Sequence, residues 1–335
     1  MSLAAMKTHW AIWSPGGIAR RIATALQTVP NAVCWGVAGR SEERARQFAN
    51  EFQFAKYYSS ASELLADPTV DVVYIASPHQ AHFDHTIACL EAGKAVLCEK
   101  PMTVNAAQAR EVFKLAESQQ RFYLEAVWTR FLPIYQQIKQ WLDEDLIGDV
   151  HLVQANFGIH PKITPDHRLL NPDLAGGSIL DLGIYPLTLV DFVYAEQPKH
   201  IQATGKLSTG GVDEQMAAQL TFSGNRIAQI YSAVNVATQP TASIFGSRGR
   251  ILIDPPFLGS EGATLVRDEP GVEDLRVTLP HSVNGYVYQA EEVQNCLKHG
   301  KIQSETLPWS TSLRVMEIMD ELRSQLGVRY HFESV

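Results

Sequence analysis

A glycine-containing turn separates the first apolar run of the sequence from a segment with helical periodicity. The turn consists of Ser14-Pro15-Gly16-Gly17-Ile18-Ala19. It is an imperfect G-x-G-x-x-A motif, because serine replaces the first glycine. At the first turn of a helix, unpaired backbone N–H groups and the helix dipole favour phosphate binding. The turn therefore predicts a site for the pyrophosphate of a dinucleotide, and an ordinary strand-to-helix turn that requires glycine is the alternative.

The second apolar run ends at Gly39-Arg40-Ser41. An enzyme that uses NAD usually carries an acidic residue at this point, which holds the ribose 2′-hydroxyl, whereas an arginine accommodates a 2′-phosphate. The sequence therefore favours NADP over NAD, although NAD stays possible, with Arg40 and Ser41 at the phosphate. A solvated loop charge is the alternative interpretation of Arg40.

Two further segments carry polar side chains where ligands bind in folds of this type. Lys100, within Glu99-Lys100-Pro101, lies at the carboxyl end of a predicted parallel strand. Asp181 and Tyr185 lie near the start of a predicted helix that follows Gly176-Gly177. Four residues apart, they share a face if the turn between them is helical. Each segment alone fits a structural role, as the end of a strand or the start of a helix. Together they indicate a ligand-binding site.

The elements that must position these residues follow from the periodicity. The first 128 residues alternate apolar runs with helical segments, which predicts a doubly wound parallel sheet. From about Gly148 the alternation has a period of two, with hairpins at 216–234 and 241–253. We predict an α/β Rossmann domain over 6–128, and over 129–335 an α+β domain with a large, mainly antiparallel open sheet, one face of which is either solvated or an interface. Residues of N-cap type precede three helical segments: Ser41, Ser60 and Asn105.

Composition narrows the class of protein. The chain has 335 residues, 28 Lys plus Arg against 36 Asp plus Glu, and a net charge of -8. This balance argues against binding to nucleic acid or to an anionic membrane and favours small-molecule chemistry. The four cysteines form no CxxC pair and the histidines no zinc-type cluster, so we expect no metal site and reduced thiols. The start of the sequence has no apolar signal-peptide core, and we expect a cytoplasmic protein.

The sequence resembles the glucose-fructose oxidoreductase/inositol dehydrogenase (Gfo/Idh/MocA) family over essentially the whole chain from Lys7. Within it, the sequence is most similar to the branch of dimeric dihydrodiol dehydrogenases and NADP-dependent D-xylose dehydrogenases. The segments that carry the resemblance are the Gly16 to Ala19 turn, Ala76-Ser77-Pro78-His79, Glu99-Lys100-Pro101, Glu125 to Phe131, and Asp181 to Pro186. Inositol dehydrogenase relatives carry histidine where this sequence has Tyr185, which disfavours the sugar-alcohol branch.

The resemblance implies catalytic roles for three residues. Oxidation of a secondary alcohol needs a base for the hydroxyl proton while hydride leaves for the nicotinamide. The resemblance assigns Tyr185 as this acid/base. Because a tyrosine ordinarily titrates near ~10, it needs a nearby cation, and Lys100 is the candidate. Asp181 is then an orienting residue or an acceptor for a substrate hydroxyl.

The resemblance also implies binding residues. The expected cofactor contacts are Ser14, Gly16, Gly17, Ile18, Ala19, Arg40, Ser41, Ser77, His79, Glu99, Lys100, Trp128 and Arg130. The expected substrate contacts are Trp128, Phe157, Asp181 and Tyr185. For the second domain, over 129–335, the resemblance implies substrate binding and oligomerisation. Core packing is the alternative for Trp128 and Phe157, a surface ion pair for Arg130, and a helix-start role for His79 and His82.

These residues predict an NADP-dependent oxidoreductase that acts on a vicinal-diol or sugar hydroxyl, or on the matching carbonyl in reverse. A catalytically silent NADP-binding sensor on the same fold is the alternative, although such a protein is free to lose Lys100, Asp181 and Tyr185. A methyltransferase with a similar nucleotide turn leaves Glu99-Lys100-Pro101 unexplained. By resemblance we also expect a cis Lys100-Pro101 peptide bond. An open sheet is hard to leave in water, so we expect a homodimer through its exposed face.

Overall fold

The computed structural model describes residues 7–164 and 166–333. Its contacts divide the chain into two compact units. The first unit contains the residues up to Trp128 together with Ser282–Ser312. The second contains Thr129–His281 and the residues from Leu313 onward. Each unit has its own sheet and its own core, so we describe each by itself.

The first unit contains a six-stranded parallel sheet in the order β3-β2-β1-β4-β5-β6. The strands are β1 (Thr8–Trp13), β2 (Ala32–Ala38), β3 (Lys56–Tyr57), β4 (Val72–Ile75), β5 (Ala95–Glu99) and β6 (Tyr123–Ala126). The helices that alternate with them are α1 (Gly17–Leu26), α2 (Glu42–Glu51), α3 (Ala61–Ala66), α4 (His82–Glu91) and α5 (Ala106–Ser118). The order reverses between β1 and β4, which confirms the predicted doubly wound sheet and marks the switch point where such sheets bind ligands.

Local sequence chemistry explains where these helices begin. The side-chain oxygens of Ser41, Ser60 and Asn105 accept hydrogen bonds from the backbone N–H three residues later, at 3.3, 3.2 and 3.0 Å. Each bond satisfies one of the amides that a helix leaves unpaired at its start. The three predicted N-caps are therefore confirmed. The residues of β4 and β5 are all buried, as their continuous apolar runs indicate for a sheet covered on both faces.

The second unit contains an eight-stranded sheet in the order β14-β13-β12-β11-β7-β10-β9-β8. Helix α6 (Pro133–Asp143) precedes the sheet, and α7 (Ile184–Tyr194) lies between its first two strands in the chain. The strands are β7 (Val150–Gly158), β8 (His200–Leu207), β9 (Asp213–Thr221), β10 (Ile227–Ala233), β11 (Ala242–Gly246), β12 (Gly249–Ile253), β13 (Gly262–Arg267) and β14 (Leu275–Thr278). The β7–β10 pair is parallel, and the other described pairs are antiparallel. The mainly antiparallel sheet and both predicted hairpins are confirmed.

The two faces of this sheet differ in polarity. Residues such as Val153, Leu220 and Ile230 are buried. On the other face, side chains from three neighbouring strands form a hydrogen-bonded row that consists of Gln154, Gln229 and Gln219. Nε2 of the first donates to Oε1 of the second at 2.8 Å, and Nε2 of the second donates to Oε1 of the third at 3.4 Å. The centre of the exposed face is therefore polar.

The last part of the chain forms α8 (Tyr286–Lys298) and α9 (Trp309–Leu326). Helix α8 packs against α1 of the first unit. Side-chain amides flank this contact, since Asn284 donates to the Arg21 carbonyl at 3.2 Å and Gln294 to the Pro30 carbonyl at 3.1 Å. The sequence pattern predicts one domain over 129–335, but in the structure these contacts hold Ser282–Ser312 in the first unit.

The helical stretch Pro172–Tyr194 is long and apolar enough to cross a membrane by length and composition alone, with a mean hydropathy of 1.3. However, 89% of the tested window is buried inside the protein. The same stretch contains Asp181 and Tyr185. Its apolar character is thus used for packing in the second unit.

Candidate active site

The glycine turn follows β1 and leads directly into α1. The Ser14 N–H donates to the Ala38 carbonyl at 2.8 Å, which ties the turn to the end of β2. Ser14 has a φ of 80°, in the left-handed region that favours glycine. This backbone conformation explains why the nucleotide-binding motif has glycine here, and the protein adopts it with serine.

The start of α1 has the shape that a phosphate group requires. Gly16 occupies the N-cap position, and no described side chain caps the helix there. A Cβ atom added to Gly16 or Gly17 meets none of the described atoms within 4 Å. No described side chain therefore fills the space beside these two glycines, so a phosphate can approach the backbone at the helix start, and the residues present fit a dinucleotide pyrophosphate.

The end of β2 lies against this turn. A Cβ atom added to Gly39 would lie 2.8 Å from Cδ of Pro15, so glycine allows the two loops to approach each other. The next residue, Arg40, is exposed. The Ser41 oxygen caps α2, but a hydroxyl can also donate. A guanidinium and a hydroxyl next to the glycine turn fit a ribose 2′-phosphate.

A buried histidine connects the loops that follow β4 and β5. His82 has none of its surface exposed. Its Nδ1 lies 2.7 Å from the Pro101 carbonyl oxygen, and its Nε2 lies 2.8 Å from the Ser77 carbonyl oxygen. Nδ1 of His85 contacts the Ser77 hydroxyl at 3.0 Å. His82 therefore has a structural position, and it joins the two loops that carry Ser77 and Lys100.

The loop of Lys100 is held from several sides. The Lys100-Pro101 peptide bond is cis, as expected. The Met102 N–H donates to the Glu125 carboxylate at 2.9 Å, and burial raises the pKa of Glu125. The Glu99 side chain, expected at the cofactor, is buried and accepts a hydrogen bond from the Tyr74 hydroxyl. These contacts fix the backbone on both sides of Lys100.

Trp128 is 7% exposed, and its ring stacks on the ring of Tyr286 with centroids 5.0 Å apart. Tyr286 was not among the predicted residues, because it lies 158 positions away (286 − 128) at the start of α8. Both residues belong to the first unit.

In the second unit, Asp181 and Tyr185 lie on one continuous helical segment. A π-helical turn, Ile179–Gly183, contains Asp181 and runs directly into α7, which contains Tyr185. The predicted helical connection is thus present, but as a π turn, a feature frequent at functional sites. The two residues are 6% and 7% exposed.

Two further side chains complete this cluster. The ring of Phe157 lies edge-on to the ring of Tyr185, with centroids 5.8 Å apart. Arg168 forms a bidentate pair with Asp181, with nitrogen-to-oxygen distances of 3.0 and 3.4 Å. The Arg168 side chain is 49% exposed. No sequence pattern indicates Arg168, because it lies in a loop without periodicity.

Arg130 lies elsewhere in the second unit. Its guanidinium is 3.8 Å from the Asp191 carboxylate and lies over the ring of Phe192. Arg314 binds the same carboxylate at 2.7 Å. Burial lowers the pKa of Arg130 to about 10. For Arg130 the sequence allows either a contact with a ligand or an ion pair at the surface. The structure shows an ion pair, and it is buried.

Across residues 7–164 and 166–333, no three His, Cys, Asp or Glu side chains are grouped in a way that could hold a metal ion.

Two family models match the chain. An oxidoreductase family with an NAD-binding Rossmann fold (GFO_IDH_MocA) matches residues 9–126, and the GFO/IDH/MocA C-terminal domain matches residues 135–252. The trans-1,2-dihydrobenzene-1,2-diol dehydrogenase of Xenopus tropicalis is 36% identical over 97% of this chain and 100% of its own length. The D-xylose 1-dehydrogenase (NADP(+)) of Hypocrea jecorina is 35% identical over 96% of this chain and 92% of its own.

Solved structures show the same fold. The 3-ketoreductase KijD10 of Actinomadura kijaniata, in complex with NADP and TDP-benzene, has a TM-score of 0.83 and 24% identity over 95% of this chain and 98% of its own. The aldose-aldose oxidoreductase of Caulobacter crescentus has a TM-score of 0.86 and 21% identity over 96% and 98% of the two chains. Together with the full-length relatives, these similarities show that the chain belongs to the GFO/IDH/MocA family of oxidoreductases.

Proposed function

We propose that the protein is an NADP-dependent dehydrogenase for a secondary hydroxyl of a vicinal diol or a sugar, or a reductase for the matching carbonyl. The cluster of Tyr185, Phe157, Asp181 and Arg168 carries this proposal, because it combines a phenol, an aromatic wall and an ion-paired carboxylate. Diol and sugar dehydrogenases among the full-length relatives support the substrate class. A silent sensor is disfavoured because the chain retains Lys100, Asp181 and Tyr185.

We assign the acid/base role to Tyr185. Bound NADP would supply the hydride acceptor. The phenol of Tyr185 exchanges the proton with the substrate oxygen, and the ammonium of Lys100 favours the phenolate. The family resemblance supports the pairing of these two residues. Asp181, held by Arg168, orients the site or accepts a hydrogen bond from a substrate hydroxyl, with Phe157 and Trp128 at the substrate.

We assign the cofactor to the carboxyl ends of the strands in the first unit. The open start of α1 supports pyrophosphate binding, and Arg40 with Ser41 supports selectivity for the 2′-phosphate. The proposed contacts are Ser14, Gly16, Gly17, Ile18, Ala19, Arg40, Ser41, Ser77, His79, Lys100 and Trp128. Glu99 and Arg130 stay proposed cofactor contacts as well, and in the structure their side chains also interact with Tyr74 and Asp191.

We further propose that the exposed face of the eight-stranded sheet forms a two-fold dimer interface in a cytoplasmic protein. The row of Gln154, Gln229 and Gln219 provides amides that can pair with a second copy. Leu252, 37% exposed on β12, adds apolar surface. Two copies that pair through the same face form a closed dimer with two-fold symmetry, so a third copy cannot bind at this face.

The protein is therefore expected to have about twice the chain mass of 37.2 kDa in light scattering at micromolar concentration. Gln229→Arg, which puts a charge at the centre of the row, should shift the mass towards the monomer. Gln119→Arg, at an exposed helix end, should not. A monomeric wild-type protein would count against the interface.

Arg40→Asp should weaken NADP binding selectively, because it removes a charge-assisted contact and repels the 2′-phosphate. Loss of one hydrogen bond to a charged group predicts a decrease of about 10-fold to 100-fold in affinity. NAD binding should change little. Calorimetry with both cofactors measures this, and Arg121→Asp, exposed just before the start of β6, is the matched control. Tighter binding of NAD than of NADP by the wild-type protein refutes the NADP assignment.

Tyr185→Phe should lower turnover by about 10²-fold to 10⁴-fold, because the ring stays while the proton-transferring hydroxyl is lost. Cofactor affinity should stay nearly the same. Tyr57→Phe removes an exposed phenol and is the control. Lys100→Met acts on the same step, so the double variant should lose far less than the product of the two single losses. Full activity of Tyr185→Phe would rule out this mechanism.

A further inference from the structure

The first residue of β9 is a completely buried aspartate, Asp213. Its Oδ2 accepts a hydrogen bond from the Ser178 hydroxyl at 2.8 Å and another from the Ile179 N–H at 2.7 Å. These two residues begin the helical segment that carries Asp181 and Tyr185. Asp213 therefore acts as an N-cap from 34 residues away in the sequence.

The same carboxylate determines the shape of the preceding turn. Gly177 has a φ of +121°, and a Cβ atom on it would lie 2.3 Å from Oδ1 of Asp213. A side chain at this position would therefore displace the carboxylate or the turn. The Gly176 carbonyl of the same turn accepts a hydrogen bond from the Tyr330 hydroxyl at 2.5 Å. Asp213 and Tyr330 thus both hold the turn.

This turn also connects to the other half of the Asp181 ion pair. The Gly177 N–H donates to the carbonyl of Leu169 at 2.9 Å, and Leu169 is the neighbour of Arg168. A shift of the turn would therefore move both Arg168 and Asp181. Because a misplacement of about 1 Å can reduce a rate by about 10²-fold, the position of the turn matters for the chemistry.

We propose that Asp213 is a positioning residue for the proposed reaction, and that its buried carboxylate holds the first turn of the segment that bears Asp181 and Tyr185. The inference rests on the proposed function, since it concerns that site. It assigns Asp213 no contact with substrate or cofactor. Its effect on the reaction passes through the helical segment alone.

The surroundings of Asp213 are mostly neutral. The Ser178 hydroxyl donates to it and lies 3.0 Å from the Ser232 hydroxyl of β10, and Tyr330 lies near it from the end of the chain. Nearby charged groups have other partners: Glu214 binds Lys206, Asp181 binds Arg168, and Arg323 binds Glu333 and Asp320. Within the described chain, no cation pairs with Asp213.

Burial raises the pKa of Asp213 to about 6. The carboxylate is therefore charged above this pH and becomes protonated as the pH falls through it. Protonation removes the negative charge that stabilises the helix start, so activity should decline on the acid side. The raised pKa has the opposite effect on global stability: the buried charge lowers the free energy of unfolding as the pH rises from about 4, near the ordinary aspartate pKa, to about 6, and the full cost remains above pH 6. A neutral isostere should therefore loosen the first turn locally without destabilising the whole fold at that pH.

The test compares the wild-type protein with Asp213→Asn, and Asp274→Asn, an exposed aspartate, is the matched control. At pH 8, Asp213→Asn should keep the thermal midpoint and the NADP affinity of the wild-type protein but lower kcat by about 10-fold to 100-fold. Its pH profile of kcat should also lack the decline near pH 6 that is expected of the wild-type protein. Ser178→Ala should lower kcat in the same direction, and the double variant should lose less than the product. A wild-type kcat, or an unchanged acid limb, in Asp213→Asn would overturn the inference.

A second readout does not require turnover. Hydrogen exchange of the amides in 177–190 should be faster in Asp213→Asn than in the wild-type protein, whereas exchange in β4 and β5 should be unchanged. Equal exchange in 177–190 would overturn the inference. Absence of turnover by the wild-type protein with faster exchange in the variant would instead reject the proposed function and leave the positioning role supported.

Discussion

The second unit depends on how a nearly fully buried helical segment accommodates its polar side chains. Burial of a polar or charged group is costly unless it is paired. Ser178 is bound by Asp213, and Asp181 by Arg168. Further along, the Thr188 hydroxyl donates to the Ile184 carbonyl at 2.6 Å. Asp191, at the far end, lies between Arg130 and Arg314. These polar groups thus have partners, and the partners outside the segment, such as Asp213, Arg168 and Arg314, also fix it in place.

The first unit has a different requirement, because its backbone N–H donors at the start of α1 must stay accessible to the proposed phosphate. Gly16 and Gly17 keep the start of α1 open, and Gly39 lets the end of β2 approach it. The loop around Lys100 is fixed by buried groups behind it, His82 and Glu125. In both units, buried polar residues hold the backbone, so the residues proposed to meet ligands have defined positions.

Much of the fold could be predicted because it rests on local patterns. Apolar runs gave the parallel strands, and Ser41 and Asn105 marked helix starts through their side-chain chemistry. The return of Ser282–Ser312 to the first unit was not predictable, because the periodicity of α8 does not say which helix it packs against. The π turn was missed because its residues are buried all round and show no period.

The site was predictable where residues lie within motifs. Lys100, Asp181 and Tyr185 could be proposed as site residues in this way, whereas the positions of Arg168, Asp213 and Tyr286 depend on contacts between distant parts of the chain. The most direct test of the central claim is a screen of aldoses, polyols and trans-dihydrodiols with the purified protein and NADP, followed by the absorbance of the reduced cofactor. We predict turnover of at least one vicinal diol or aldose, faster with NADP than with NAD. Tight NADP binding without turnover of any compound in the screen would contradict the account and favour a cofactor-binding sensor.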